Sequence, residues 1–340
     1  MKARGLKATL AFVIAMAGLT ACGTGGDPAS DTGAIPVRVL ATTPSMNTGL
    51  PLAMVALGTA DGAGLDMKYE AVGAASSTVI AGVMSGEADF GVLALAPAIE
   101  AIHTGAPIEI IAGTAEVASL MVVSNDVAER YGNKSVDERL RGLEGLTVGT
   151  GPVGSTNYNI LRAELSRVGL DPDKDVTIIG MSEPTALVSG LKQGQFDAGF
   201  YGAGALEQNL ADGDGAVYLT GKDLPTIQDM IGIGVIGRSD YIAKNADSVE
   251  RLRAALAAAT EQITADPVNA GEKLHTKFFA ETSPAAWAIT WELGQSVMVA
   301  DTKISQDAYE KNLTLLAAGG SSVDVPFDEA VAEIARKDSE

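Results

Sequence analysis

The sequence predicts an α/β protein with two lobes, each a mostly parallel sheet flanked by helices, and a helical segment at the carboxyl end. Three observations lead to this class. Strand-length apolar runs alternate with helix-length segments, a pattern typical of parallel sheets with right-handed crossovers. A weak internal repeat recurs at an offset of 108 residues. The chain of 340 residues is also longer than one typical domain.

Residues 1–21 are expected to form a secretory signal peptide. Lys2, Arg4 and Lys7 precede an apolar run over residues 8–21. A basic start followed by a short apolar stretch is typical of export signals. Because this run is too short to span a bilayer as a stable helix, we do not interpret it as a membrane anchor.

The residues around Cys22 resemble a bacterial lipobox. Residues 19–22 read Leu-Thr-Ala-Cys, and Cys22 is the only cysteine, so no intramolecular disulfide or thiolate metal site is expected. The resemblance implies that Cys22 is lipidated after cleavage. Several acyl chains would then anchor the protein firmly. The expected location is the extracytoplasmic face of the cell membrane, or the periplasm if the host has two membranes.

The internal repeat is clearest where residues 84–91 (MSGEADFG) align with residues 192–199 (KQGQFDAG). At the same offset, residues 41–44 (ATTP) align with residues 149–152 (GTGP). The register holds over more than about fifty residues although identity is low. The repeat therefore predicts two lobes of similar architecture.

Each copy of the repeat is predicted to run strand, helix, strand, helix, strand. The elements of the first copy are strands at 37–40, 67–72 and 88–93 and helices at 49–58 and 76–85. Those of the second copy are strands at 146–148, 176–179 and 196–200 and helices at 156–168 and 185–193. Strands at the crossover between the lobes are expected at 108–112 and 120–123, and the returning strand is expected at 231–236. Helices that pack back on the first lobe are expected at 248–264, 269–279, 284–300, 306–316 and 328–337.

These elements divide the chain into a signal peptide (1–21), a flexible tether (22–34), the first part of lobe 1 (35–117), lobe 2 (118–240) and C-terminal helices on lobe 1 (241–340). The tether is rich in Gly, Ser, Thr, Asp and Pro and would reach roughly 20 Å. Ligands of open α/β sheets bind beyond the carboxyl ends of the strands, and domain interfaces are favoured positions for pockets. The duplication therefore predicts a binding cleft between the lobes.

The net charge of the chain indicates which classes of partner it can bind. The formal net charge is −19, and removal of the signal peptide takes away three cations and no acids, which makes it −22. Such an acidic surface favours solubility and argues against nucleic acid or anionic lipid as a partner.

Several segments together resemble the nitrate/sulfonate/taurine and thiamine-precursor group of ABC-importer binding proteins. They are residues 85–91 with 96–98, 105–108, 143–149 with 154–156, and 192–198. The resemblance covers about residues 37–270. It implies a type II periplasmic-binding fold that closes on a small, usually anionic or zwitterionic ligand. It also implies delivery of that ligand to a membrane permease with its ATPase, by a monomer that needs no cofactor and performs no chemical step.

The resemblance and the strand-to-helix turns together predict the ligand-binding residues. They are Thr42, Thr43, Asn47, Ser76, Ser77, Leu95, Ala96, Thr114, Glu116, Gly154, Ser155, Thr156, Glu183, Tyr201 and Gly202. Hydroxyls and free amides at helix N-termini suit an anionic group. The alternative for each Ser or Thr is an ordinary helix N-cap.

The charge of the ligand stays open. Lys68 is the only lysine or arginine between Val39 and Glu129, so no arginine clamp on an anion is expected in the first lobe. Glu116 and Glu183 would instead suit an ammonium group. The alternative ligand is therefore cationic or aromatic, such as a thiamine-type pyrimidine precursor.

An exported enzyme on the same fold is the further alternative. Residues 149–154 fit the G-x-G-x-x-G pattern between a strand and a helix. Export and the lack of matching glycines in the first lobe argue against a dinucleotide site there. The two histidines, His103 and His275, lie in different regions, which supports neither a His-rich metal site nor a catalytic triad.

Overall fold

The structure is a computed structural model that describes residues 33–73 and 75–337. It places ten strands in two five-stranded sheets flanked by helices, so the predicted α/β class is confirmed. The expected signal peptide, Cys22 and most of the tether lie outside the described residues. Within the described ranges, every helix is too short or too polar to cross a membrane.

The strands are β1 (Ile35–Ala41), β2 (Leu65–Ala71), β3 (Phe90–Ala94), β4 (Ile108–Glu116), β5 (Ser119–Val123), β6 (Thr147–Thr150), β7 (Thr177–Gly180), β8 (Ala198–Gly202), β9 (Ala216–Thr220) and β10 (Ile231–Arg238). The helices between β1 and β10 are α1 (Gly49–Leu57), α2 (Thr59–Gly62), α3 (Ser76–Ser85), α4 (Leu95–His103), α5 (Asn125–Tyr131), α6 (Val136–Arg141), α7 (Thr156–Arg167), α8 (Pro184–Lys192) and α9 (Glu207–Asp212). The later helices are α10 (Ser239–Lys244), α11 (Ala246–Ala265), α12 (Pro267–Phe278), α13 (Pro284–Gln295), α14 (Gln306–Ala318) and α15 (Phe327–Ala330).

The two sheets have the same topology. The first has the order β2-β1-β3-β10-β4 and the second the order β7-β6-β8-β5-β9. In each, the first three strands are parallel and the fourth is antiparallel to both neighbours. The antiparallel strand is the one that the chain inserts after crossing from the other lobe. Because β10 pairs with β3 and β4, residues 231–238 lie in the first sheet, although they were expected within the range of lobe 2.

The repeat seen in the sequence is a repeat of strands. β3 begins at Phe90 and β8 at Ala198, and β4 begins at Ile108 and β9 at Ala216, so both pairs are separated by 108 residues. The equivalent strands occupy equivalent places in the two sheets.

The aspartates of the repeated motif have a structural role. The Asp89 carboxylate accepts a hydrogen bond from the Arg38 N–H at 2.8 Å, and the Asp89 N–H donates to the Arg38 carbonyl at 2.9 Å. Asp197 makes the same two bonds with Thr147, also at 2.8 and 2.9 Å. Each aspartate therefore fixes the start of the third strand of its lobe against the first.

Both faces of each sheet are buried. Along β1, Val37 and Val39 pack in one apolar cluster of lobe 1, while Leu40 packs in the other. Along β5, Met121 and Leu120 likewise point into the two clusters of lobe 2. Alternating side chains of a strand point to opposite faces, so a sheet covered by helices on both sides needs continuous apolar runs.

The C-terminal segment differs from the prediction in its last part. The helix expected over residues 328–337 is wrong, because α15 ends at Ala330. Val331 instead pairs with Ile110 of β4, and the Ala332 N–H donates to the Ile110 carbonyl at 2.9 Å. Strand β4 at the edge of the first sheet provides these backbone partners. Residues 331 and 332 bond to this strand and therefore do not continue the helix.

Helix α14 packs on both lobes. Leu316 is buried in a cluster of lobe 1, whereas the adjacent Leu315 is buried among residues of lobe 2. The C-terminal helices were expected to pack on lobe 1, and α14 in addition contacts α7 of lobe 2.

Candidate functional site

The carboxyl ends of the parallel strands in the two sheets lie at the boundary between the lobes, where a ligand site is expected. Lobe 1 brings the segments after β1 and β2 to this boundary, and lobe 2 brings those after β6, β7 and β8. The lobes touch where the Met46 N–H donates to the Ala203 carbonyl at 3.3 Å. We call the space beside this contact, between the two sets of segments, the cleft.

Small polar side chains form the lobe 1 wall of the cleft. The Thr42 and Thr43 N–H groups donate to the Val92 and Gly73 carbonyls, at 3.2 and 2.9 Å, which holds the turn after β1 against its neighbours. The Thr43 side chain is exposed. Ser76 and Ser77 open α3, and the N-cap residue of this helix has no side-chain hydrogen bond to it. The Thr78 N–H donates to the Ala75 carbonyl at 3.1 Å, and the N-cap side chain covers none of the other first-turn amides.

The lobe 2 wall brings Ser155 and Tyr201 together around Gly151. A Cβ at Gly151 would lie 2.5 Å from the Ser155 hydroxyl and 3.3 Å from the Tyr201 ring. Ser155 is an N-cap, since its hydroxyl accepts from the Tyr158 N–H at 3.3 Å. Gly151 was not among the predicted site residues. The sequence feature that could have identified it is its place in the glycine-rich turn, where a residue without a side chain lets Ser155 and Tyr201 approach.

Gly154, Thr156 and Glu183 complete this wall. Gly154 is exposed with φ of +81°, a left-handed conformation that favours glycine. Thr156 is the first residue of α7 and is half-buried. Burial, and to a lesser degree the charge of Glu183, raise the pKa of Tyr201. The exposed Glu183 carboxylate therefore lies close enough to the tyrosine to influence it.

Asn47 connects the two walls. Its side-chain oxygen accepts from the Ala118 N–H at 2.9 Å. A Cβ at Gly202 would lie 2.6 Å from the Asn47 side-chain nitrogen, so only glycine permits this approach. The two predicted site residues from different lobes are thus in direct contact.

Three predicted residues have their side chains in the core. Leu95 is fully buried and Ala96 is buried beside it, both in an apolar cluster of lobe 1. Thr114 is fully buried on β4, and its hydroxyl has no hydrogen-bond partner. In the structure these side chains present almost no surface to solvent.

Glu116 lies at the chain crossings. It lines a cavity of about 220 Å³ together with Lys222, Asp229 and Val297. Burial and the charge of Asp229 raise the pKa of Glu116, against the opposing effect of Lys222 and Lys311. Glu116 therefore lies beside the connections between the two lobes.

The segments that line the cleft carry little charge. Residues 42–48, 72–78, 151–156, 181–184 and 201–207 contain no lysine or arginine, and their acids are Glu183 and Glu207. An anionic group in the cleft would therefore be held by amides and hydroxyls, while an ammonium group would meet Glu183.

Glu207 was not identified from the sequence. It is 1% exposed at the start of α9, and one of its carboxyl oxygens has no hydrogen-bond partner. Thr290 of α13 is equally buried, and its hydroxyl also lacks a partner. An isolated glutamate after a strand has no sequence signature, because its burial depends on which helix of the other lobe covers it.

A larger groove of about 1170 Å³ lies elsewhere, between α11 and the C-terminal segment, where Arg253, Lys303 and Arg336 line it. None of its lining residues belongs to the segments around the cleft. We therefore place the candidate site by the strand ends, since size alone does not locate a ligand site in this fold.

The glycine-rich pattern at 149–154 has a packing explanation. A Cβ at Gly149 would lie 2.7 Å from Leu187 and 3.1 Å from Phe196, so this glycine allows α8 to pack against β6. Among residues 33–73 and 75–337, no group of three or more His, Cys, Asp or Glu side chains is placed to hold a metal ion.

The family model described as NMT1/THI5 like matches residues 61–270 of this chain. No curated protein sequence matches it significantly.

Solved structures share the fold at low sequence identity. The alkanesulfonate-binding protein SsuA from Xanthomonas axonopodis pv. citri, bound to MOPS, has a TM-score of 0.66 and 16% identity, covering 89% of this chain and 98% of that one. The aliphatic sulphonate-binding protein SsuA from Escherichia coli has a TM-score of 0.66 and 17% identity, covering 83% and 90%. A ligand-binding component of an ABC-type import system from Staphylococcus aureus, with zinc bound, has a TM-score of 0.67 and 15% identity, covering 89% and 100%. The type II periplasmic-binding fold is therefore confirmed.

Proposed function

Because the chain belongs to the NMT1/THI5-like family, we propose that it is the extracytoplasmic solute-binding component of an ABC importer. It would capture a small organic solute by closure of the two lobes, without a chemical step, and deliver it to a membrane permease driven by a separate ATPase. Its structural neighbours are solute-binding proteins of such importers. We expect it to act as a monomer.

One observation carries this proposal. The carboxyl ends of two matching sheets lie at one boundary, and both sides of that boundary are lined with glycines, hydroxyls and helix starts. The lobes are connected by the crossing at Val117 and Ala118, the return through residues 221–230, and α14. Short crossings permit the hinge motion by which two domains close around a ligand.

The ligand that suits these walls best is a small zwitterionic or anionic solute of the sulfonate, nitrate or taurine kind. Amides at the start of α7, with the Thr156 hydroxyl, would bind the anionic end through hydrogen bonds and the helix dipole. Glu183 beside Tyr201 would meet an ammonium group. The cleft lacks cations, which also favours the alternative of a cationic or aromatic ligand such as a pyrimidine precursor.

The anchor is part of the proposal. Cys22 lies outside the described residues, and its lipidation is inferred from the lipobox-like sequence alone. A lipid at Cys22 and the tether of residues 22–34 would keep the two lobes near the permease.

A thermal-shift screen of purified protein tests the proposal. A ligand that binds only the folded state stabilises it by about 2.7 kcal/mol at a hundredfold excess over Kd, which corresponds to several degrees in Tm at roughly 2–4 °C per kcal/mol. The screen should include taurine, alkanesulfonates, nitrate, amino acids and pyrimidines. At least one of these should raise Tm. Nucleotides are tested alongside, and a rise in Tm with nucleotides alone would favour the exported-enzyme alternative.

A further inference from the structure

The groove between α11 and the C-terminal segment collects cations on a chain that is otherwise strongly acidic. Its volume is about 1170 Å³, and its basic residues are Arg253, Lys303, Arg336 and Lys337. The formal net charge of the chain is −19, with 24 lysines and arginines against 43 acids. A concentration of cations around one cavity is therefore not expected from composition.

The cations of this groove are less exposed than its acids. Arg253, Lys303 and Arg336 are half-buried, whereas Lys337 is exposed. The acids that line the groove are all exposed, and they are Glu250, Asp307 and Glu333. The less accessible part of the groove therefore carries positive charge, and its exposed rim carries the acids.

The half-buried cations are held in place without being neutralised. Arg253 donates through Nη1 to the Ile111 carbonyl at 2.7 Å, and Arg336 donates through Nε to the Val331 carbonyl at 2.8 Å. No ion pair in the described part of the chain includes Arg253, Lys303 or Arg336. Backbone carbonyls thus orient the two guanidinium groups, and the positive charges are left for another anion.

Arg253 is the cation for which a counter-charge matters most. A guanidinium group has five N–H donors, and Arg253 uses one of them within the described residues, to Ile111. Burial lowers the pKa of Arg253, and the charge of Asp301 only partly opposes this. A charge removed from water is normally paired, because it otherwise loses hydration without compensation. A bound anion would supply the counter-charge.

We propose that this groove is a second ligand site, which binds a compact multivalent oxyanion such as a polycarboxylate or a polyphosphate. Two guanidinium groups and an ammonium group match such an anion, since the N–H pairs of arginine bind carboxylate and phosphate bidentately. The start of α14, capped by Ser305, lines the same groove and adds the positive end of its helix dipole. The exposed acids at the rim would repel a broad acidic surface, so a compact anion fits better. The site is separate from the cleft, and its occupation does not depend on the proposed function.

A thermal-shift titration with citrate and with pyrophosphate tests this site. The bound anion would connect α11 with the start of α14 and the C-terminal segment. At least one of the two probes should therefore raise Tm above its value in sodium chloride of the same ionic strength. The ionic strength is matched because screening of self-repulsion alone stabilises a chain of this net charge.

Variants locate the bound anion. Arg253→Gln and Lys303→Gln each remove a cation of the groove, and each should lose most of the rise in Tm. Lys273→Gln removes an exposed lysine of α12 that does not line the groove, and it should keep the rise in full. If Arg253→Gln does not fold, Lys303→Gln decides, because the Lys303 ammonium group has no hydrogen bond or ion pair within residues 33–73 and 75–337.

Two results would contradict an anion site in this groove. One is that neither probe raises Tm above the sodium chloride value. The other is a rise that persists in either groove variant, which would place the anion elsewhere, the cleft included, and would leave the proposed function intact. Conversely, a solute screen without any hit would end the proposed function and leave the anion titration to decide this site.

Discussion

The Asn47 side-chain oxygen accepts a hydrogen bond from the Ala118 N–H at 2.9 Å. The Ala118 carbonyl accepts from the Ala203 N–H at 2.7 Å, and the Ala203 carbonyl accepts from the Met46 N–H at 3.3 Å. These bonds form a ring that joins the turn after β1, the chain crossing and the turn after β8. The ring therefore holds lobe 1 against lobe 2 beside the cleft.

Removal of the Asn47 side chain should destabilise the protein. Asn47→Ala leaves the Ala118 N–H without its acceptor, and we expect a loss of about 1–3 kcal/mol in the free energy of unfolding. Asn47→Asp keeps an oxygen at this position and should retain most of the stability. Urea unfolding of the two variants measures this, and equal stabilities of Asn47→Ala and the wild type would show that the ring contributes nothing.

A side chain at Gly151 should disturb the lobe 2 wall. The Cβ of Gly151→Ala would lie 2.5 Å from the Ser155 hydroxyl, so the cap of α7 must shift. We expect a lower Tm and a weaker thermal response to the solute identified by screening. Gly62→Ala is the matched control, because a Cβ there has no neighbour within 4 Å. Loss of the solute response in the control as well would refute a local effect.

Substitutions at Thr156 should change ligand affinity without lowering the stability of the protein. An acid in the first turn of a helix stabilises it by about 0.3–1 kcal/mol, so Thr156→Asp should fold at least as well as the wild type. The same carboxylate would repel the anionic end of the ligand, and we expect affinity to fall more than tenfold, or about 1.4 kcal/mol. Thr156→Ser keeps the hydroxyl and should bind nearly normally. Calorimetry decides, and tight binding by Thr156→Asp would instead support a cationic ligand at Glu183.

The pH dependence of stability should contain a contribution from Glu207. Burial raises its pKa in the folded state, so its protonated form is favoured by folding. That stabilisation is complete below the pKa of the unfolded chain and is lost as pH rises through the raised folded value. The stability of Glu207→Gln relative to the wild type should therefore increase with pH. Chemical denaturation at several pH values tests this, and a constant difference would contradict it.

The anchor has a simple test. Cys22→Ser should move the protein from the membrane fraction to a soluble extracytoplasmic pool while the Tm stays the same. Thr24→Ser, two residues further on, is the control and should remain in the membrane fraction. Retention of Cys22→Ser in the membrane fraction would show that lipidation at this residue is not the anchor.

The lobes and most of their strands were predictable because they depend on local patterns. The repeat of residues 84–91 at residues 192–199 predicted two equivalent βαβ units. Strands β3 and β8 begin 108 residues apart, as the repeat requires. Helices α5, α6 and α9 were not predicted, since each is short and has few apolar positions. Strand β9 was not predicted either, although residues 216–219 are apolar. The helix expected over 328–337 failed because the edge of β4 offers Val331 and Ala332 backbone partners that local periodicity does not reveal.

The candidate site rests on the positions of the strand ends, and its place and its members stay predictions. Strand ends led to Thr43, Ser77, Ser155 and Gly202, because the turn after a parallel strand always reaches the same edge of the sheet. Leu95 and Thr114 also follow or belong to strands, and their side chains nevertheless point into the core.

The amino-acid sequence by itself determined the α/β class, the duplicated lobes and the family, since each depends on short-range patterns of apolar, small and charged residues. Only the tertiary structure decided that β10 lies between β3 and β4 and that α14 packs on both lobes. The physical reason is that burial and hydrogen-bond partners depend on contacts between residues far apart in the chain, and no local pattern encodes them.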